Sequence, residues 1–171
     1  MEIIDVVNDK NEVIGQVPRD DLYSGGHSHR IVHVLIFNDR GEMALQLRSK
    51  HIQFCPHHWV TVASGHVQSG ETPEAAARRE MMEEIGLDIP FESSFEAVYG
   101  PPQYPGLKKF STVFTARYNG PFKIDPETVE RVEFFRLEEI NKMINQGEMM
   151  HPELIFLIKE NKISNLAEFK H

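Results

Sequence analysis

Cysteine is nearly absent: Cys55 is the only one among 171 residues. A lone thiol excludes an intrachain disulfide and fits a reducing compartment, so the expected location is the cytoplasm. Positive charge is also in short supply. Lys and Arg number 18 against 26 Asp and Glu, a net charge of −8, which argues against a grip on the phosphate backbone of a nucleic acid polymer. An acidic chain can still take a polyanion if a metal supplies the positive charge locally. No apolar run approaches the ~20 residues of a membrane span, so no membrane partner is expected. The opening MEIIDVVNDK has no basic n-region and carries acidic residues early, so no secretory signal peptide is expected. Repeats, low-complexity tracts and long linkers are missing as well.

What remains is an ordinary globular composition, 40% hydrophobic and 26% charged. A chain of this length buries roughly 70% of the surface its unfolded form exposes. One domain spanning residues 1–171 is therefore expected. Residues 2–7 and 12–17 are β-rich runs around NDKN, a hairpin extension occupying residues 1–28. A second hairpin runs over 30–37 and 43–48, with Asn38-Asp39-Arg40-Gly41 as its turn. Further strands are expected at 59–63, 95–99, 110–118 and 131–136, and a loop at YGPPQYPG, where Pro and Gly fill half the positions. Helices are expected at 73–85, 137–145 and about 152–160, the last two opening a helical C-terminal tail over 137–171. Many strands, one central helix and a helical tail predict an α+β domain or a layered αβα domain.

The central helix carries the chemistry. Thr72 is a good N-cap, Pro73 suits the first helical position and Gly86 is a natural stop. At about 100° per residue, Glu80, Glu83 and Glu84 fall on one side together with Ala76 and Ala77. Ala75, Met81, Met82 and Ile85 fall opposite, so an apolar face and a carboxylate face are expected. Three carboxylates near the negative end of the helix dipole are unfavourable, and Glu80 and Glu84 repel as like charges one turn apart. Arg79 offsets only part of this. Two readings stand: a solvated helix end, or a site for a hard cation such as Mg2+ or Mn2+, which takes oxygen ligands.

The preceding stretch, SGHVQSGETPEAAAR, places two glycines around a short loop and Glu71 at the helix entry. Gly65, Glu71, Arg79-Glu80, Glu83-Glu84 and Gly86-Leu87, at these spacings, resemble an intact Nudix box over residues 65–87. The resemblance implies the Nudix αβα sandwich, with a mixed sheet and a helical C-terminal tail. It also implies a metal-dependent hydrolase of a diphosphate linkage in a nucleotide or other small organic diphosphate. It makes Glu80 and Glu84 metal ligands, Glu83 a further or water-bridged ligand, and the Ser64 carbonyl a backbone ligand. Arg79 and Glu71 become orienting residues. The general base lies either in the box, at Glu83 or Glu84, or in the later stretch DPETVERVEFF, which offers Glu127 and Glu130. Relatives that form dimers make a homodimer an open possibility.

The N-terminal half is similar to the Nudix branch that includes isopentenyl-diphosphate isomerase. His66 and His29 fall on isomerase metal-ligand positions, with His27 a third candidate. Ser64, however, stands where the isomerases carry a catalytic cysteine, and Lys108 and Lys109 stand near where the isomerases place two metal-binding glutamates. Both departures, with the complete box, favour hydrolysis. Isomerase-like chemistry and a non-catalytic nucleotide-binding module are the alternatives. Solvated lysines, a plain strand histidine at His33 and turn residues at His57 and His58 are expected.

Overall fold

In a computed structural model, residues 1–160, 163 and 166 are described. The expected helical tail to residue 171 therefore lies partly outside the described residues. The strands are β1 (Ile3–Val7), β2 (Val13–Pro18), β3 (His29–Phe37), β4 (Met43–Arg48), β5 (Trp59–Thr61), β6 (Ala63–His66), β7 (Glu92–Tyr99), β8 (Lys109–Arg117) and β9 (Val129–Phe135). The helices are α1 (Pro73–Ile85), α2 (Leu137–Asn145) and α3 (Pro152–Lys159), with a short 3-10 turn at Arg19–Asp21. No helix among the described residues is long and apolar enough to cross a membrane.

The first two strands form their own antiparallel hairpin. The other seven form one mixed sheet, ordered β5-β4-β3-β8-β7, with β6 on β3 and β9 on β4. The central pair β3–β8 is parallel and the remaining pairings are antiparallel. Alternation along β3 sorts its side chains between two cores. Val32, Val34 and Ile36 pack with Ala76, Ala77, Met81 and Ile85 of α1. Leu35 and Phe37 pack with Ile140 and Met143 of α2 and Leu154, Leu157 and Ile158 of α3. The result is the expected three-layer αβα arrangement.

Two local expectations are corrected. The single strand at 59–63 is two strands: β5 pairs with β4 and β6 pairs with β3, with the break at Val62. The helix does not separate an apolar face from a carboxylate face. Ala76 and Ala77 are buried with Met81 and Ile85, whereas Ala75 and Met82 are exposed. Small alanines allow α1 to lie close on the sheet, and this draws the neighbouring Glu80 and Glu84 down against it. Glu83 is left outside.

Candidate functional site

The site is built where α1 crosses β6. Thr72 Oγ1 accepts from the Ala75 N–H at 3.1 Å and fixes the helix start. Gly86 ends it in the left-handed conformation, φ 66°, which favours glycine. No basic residue occupies the last turn. At Gly65, on β6, an added Cβ would lie 2.0 Å from Glu80 Oε1. The glycine is therefore a close-approach residue: any side chain would displace the Glu80 carboxylate.

Arg79 organises the helix entry. Its Nε and Nη2 donate to the two oxygens of Glu71, at 2.8 and 3.0 Å. Its Nη1 donates to Glu80 Oε1 at 2.7 Å, and Nη2 also donates to the His66 carbonyl at 3.0 Å. The bidentate half of this fork is a strong, directional contact. It holds the Glu71 carboxyl below the ordinary glutamate range. Glu83 touches the same guanidinium only at 3.5 Å, and its side chain is 59% exposed against 13% for Glu80.

The Glu84 carboxylate sits between β4 and β6. Its Oε2 accepts from Gln46 Nε2 at 2.8 Å and from the Ser64 N–H at 3.2 Å. Burial raises the pKa of Glu84 to about 8, with the charge of Glu80 adding to the rise. Burial likewise raises Glu80 to about 7, against the opposing pull of Arg79. Thus Glu71, Arg79, Glu80, Glu84 and Ser64 are brought together, with Glu83 on the rim. Glu130, on β9, instead lies 3.3 Å from His57 and 3.5 Å from Arg131. Glu127 is exposed, its N–H donating to Asp125 Oδ1 at 3.0 Å.

The donor chemistry at this site fits a hard divalent cation. Two carboxylates are half-buried side by side, their ionisation opposed by burial, and no hydrogen bond among the described residues reaches Glu84 Oε1 or Glu80 Oε2. A cation would relieve both penalties. Among the described residues no three His, Cys, Asp or Glu side chains converge on one point, because Glu83 faces outward.

Two polar residues at the site escape a reading by composition. Gln46 is 2% exposed on β4. Arg48, at the end of the same strand, donates Nε to the Phe54 carbonyl at 3.2 Å and feels the charge of Glu84. The only signal in the sequence is a polar residue at an inward position of MALQLR.

Across the sheet lies a second polar cluster, and here the lysine expectation is overturned for one of the pair. Lys108 pairs with Asp9 at the surface. Lys109 is buried, its ammonium in direct contact with Glu153 of α3 and 5.1 Å over the Tyr23 ring. His33 is buried too: Nδ1 lies 2.8 Å from Thr61 Oγ1, and Nε2 lies 3.2 Å from Glu153 Oε2 without the alignment of a hydrogen bond. The His29 and His66 rings are 5.1 Å apart beside Tyr23. Burial lowers their pKa values to about 4 and about 3, so both are neutral. His57 and Cys55 occupy the turn with positive φ, 57° and 50°.

A family model described as the NUDIX domain matches residues 27–155. A Nudix hydrolase of Nostoc sp. is 31% identical over 162 residues, 93% of this chain and 95% of its own. The Nudix hydrolase YfcD of Escherichia coli is 29% identical over 140 residues, 81% of this chain and 76% of its own. Among solved structures, DR0079 from Deinococcus radiodurans superposes with a TM-score of 0.81 at 28% identity, covering 93% of this chain and 98% of that one. The NUDIX domain of Shewanella oneidensis NrtR, solved in complex with ADP ribose, shares the fold at a TM-score of 0.61 and 14% identity, covering 86% of this chain and 99% of that one.

Proposed function

This chain belongs to the Nudix family of hydrolases, and from that premise we propose that it is a divalent-metal-dependent pyrophosphohydrolase. It cleaves the phosphoanhydride bond of a nucleotide or another small organic diphosphate by attack of water on phosphorus. The observation that carries this reading is the pair Glu80 and Glu84, both at raised pKa, to which the described residues offer one ion pair, from Arg79 to Glu80.

Glu80 and Glu84 would hold Mg2+ or Mn2+, with the Ser64 carbonyl as a further ligand and the outward-facing Glu83 joined through a water. A divalent ion there would supply countercharge to the phosphate oxygens and ease deprotonation of the attacking water. Arg79 and Glu71 keep Glu80 oriented. The Arg48 terminal nitrogens, which make no hydrogen bond among the described residues, would be available to a substrate phosphate. The water oxygen bonds to phosphorus, the bridging P–O bond breaks, and its electron pair leaves on the departing phosphate. The water's proton passes to Glu83, the exposed member of the box; Glu130 is the alternative acceptor.

The test is release of cleavage products (nucleoside monophosphate, pyrophosphate, phosphate or sugar phosphate, resolved by anion-exchange chromatography) from a panel of nucleoside di- and triphosphates, nucleotide sugars and isoprenoid diphosphates, with and without Mg2+ or Mn2+. Metal-dependent release from at least one is expected; none on any would overturn the reading. Tight binding without turnover would select the non-catalytic module instead. Isomerase-like chemistry is disfavoured by Ser64, whose hydroxyl makes no hydrogen bond to a base among the described residues, and by the Lys109 ammonium beside the histidines. No solvent proton exchange into isopentenyl diphosphate is expected.

A further inference from the structure

We propose that Gln46 is a positioning residue for Glu84, a role that rests on the metal-site reading above. Alternation sends Met43, Leu45 and Leu47 of β4 into the core under α2 and α3, and turns Ala44 toward α1. Gln46 shares the Ala44 side, so a long polar side chain enters an apolar layer at 2% exposure. A buried amide there must find partners. It finds two: Nε2 donates to the Val62 carbonyl at 2.9 Å and to Glu84 Oε2 at 2.8 Å. Both partners are acceptors, so the atom between them is the nitrogen, and the amide orientation is settled by chemistry.

Val62 is the residue at which β5 gives way to β6, so its carbonyl is turned to the amide at the break. Gln46 thereby ties three elements together: β4, the strand break and α1. The Ser64 N–H reaches the same Glu84 oxygen at 3.2 Å. Two donors from different strands fix Oε2 and stop the carboxylate from rotating. Oε1 is left for the cation beside Glu80. Methionine at position 46 keeps the length and volume but donates to neither partner. Asparagine keeps the amide but is one methylene too short to bridge them.

The decisive experiment is Mn2+ titration of the metal-stripped full chain, followed by the electron paramagnetic resonance signal of free Mn2+. The proteins compared are wild type, Gln46→Met, Gln46→Asn, Glu84→Gln and the double variant Gln46→Met with Glu84→Gln. Loss of an outer-shell partner is expected to weaken Mn2+ binding by about 10–100-fold in Gln46→Met and Gln46→Asn, with the folded circular dichroism spectrum retained. Because Gln46 acts through Glu84, adding Gln46→Met to Glu84→Gln is expected to cost less than about twofold more. A purely structural glutamine would move the thermal midpoint but not the affinity of the folded protein. Mn2+ affinity within about twofold of wild type in either folded Gln46 variant overturns the proposal, and so does a full additional loss in the double variant. If Gln46→Met does not fold, Gln46→Asn decides. Wild type without saturable Mn2+ binding would sink the metal reading as well; a binding wild type with unaffected Gln46 variants sinks only the role of Gln46.

Discussion

The two faces of the central sheet each hold buried charge, and they treat it in opposite ways. Under α3, Lys109 and Glu153 neutralise each other. Burial disfavours the Glu153 carboxylate, yet His33 and Lys109 hold it well below the usual carboxylate range. Burial likewise opposes the Lys109 ammonium, and Glu153 lifts it above the ordinary lysine value. The ammonium and the carboxylate balance in charge and act as a clasp between α3 and β8, while His29 Nε2 and His33 Nε2 beside them are buried without a hydrogen bond among the described residues. Under α1, burial raises Glu80 and Glu84 instead, and among the described residues the one ion pair to either is from Arg79 to Glu80, a guanidinium shared with Glu71. The clasp holds the fold together, while the acid pair needs a charge from outside. A buried charge cluster is thus informative about function by its imbalance, not by its presence.

The contrast is tested most severely at its two centres. Glu84→Gln is expected to lower kcat by about 10²–10⁴-fold while leaving the thermal midpoint no lower than wild type, since it removes a carboxylate that burial disfavours. Near-normal turnover would refute its assignment. Lys109→Met should do the reverse. Stranding Glu153 in the interior costs about 3–5 kcal/mol of stability, read as a shift in the urea midpoint, and the double variant Lys109→Met with Glu153→Met should recover most of that loss. A single variant as stable as wild type would show that the clasp is not a clasp.

Acid separates the two faces more gently. Burial holds His29 at about 4, His66 at about 3 and His151 at about 4, from an ordinary 6.5. The unfolded chain accepts protons there that the folded chain refuses, so their contribution is present above 6.5 and lost as pH falls below it. Glu153, depressed from 4.5, adds stability above that value and loses it below. Glu80 and Glu84, raised to about 7 and about 8, act oppositely and gain stability as pH falls. The comparison is therefore made in the Glu80→Gln, Glu84→Gln double variant, whose urea midpoint at about pH 5 should lie below that at about pH 7.5 and fall again below 4.5. An unchanged midpoint over this range would contradict the lowered histidines. The smallest expected effect distinguishes the proton acceptors: Glu83→Gln should reduce kcat more than Glu130→Gln, and the opposite order would move the base to β9.

Much of the site can be read in the chain because it is local. Thr72, Pro73 and Gly86 delimit α1 through their own backbone preferences, and the spacing of Glu71, Arg79, Glu80 and Glu84 is set by one loop and one helix. The split of 59–63 into β5 and β6 was not legible, since nothing in the local sequence says that its halves pair with different strands. The helix faces were misassigned because alanine is neutral in a sequence pattern, and only packing shows that Ala76 and Ala77 are core. Lys109 reads as a surface residue until Glu153, far away in sequence, is folded against it.

By itself the sequence determined the order of strands and helices and the carboxylates of the central helix, because capping, alternation and helical spacing are short-range effects. Its resemblance to the Nudix box over 65–87 implied the αβα sandwich and a hard-cation site. Tertiary structure alone decided that Glu80 and Glu84 are desolvated while Glu83 is not. It alone decided that Gln46 holds one carboxylate oxygen and that the lysine on the far face is compensated. Burial and pairing are properties of neighbours brought together across the chain, and no local spacing encodes them.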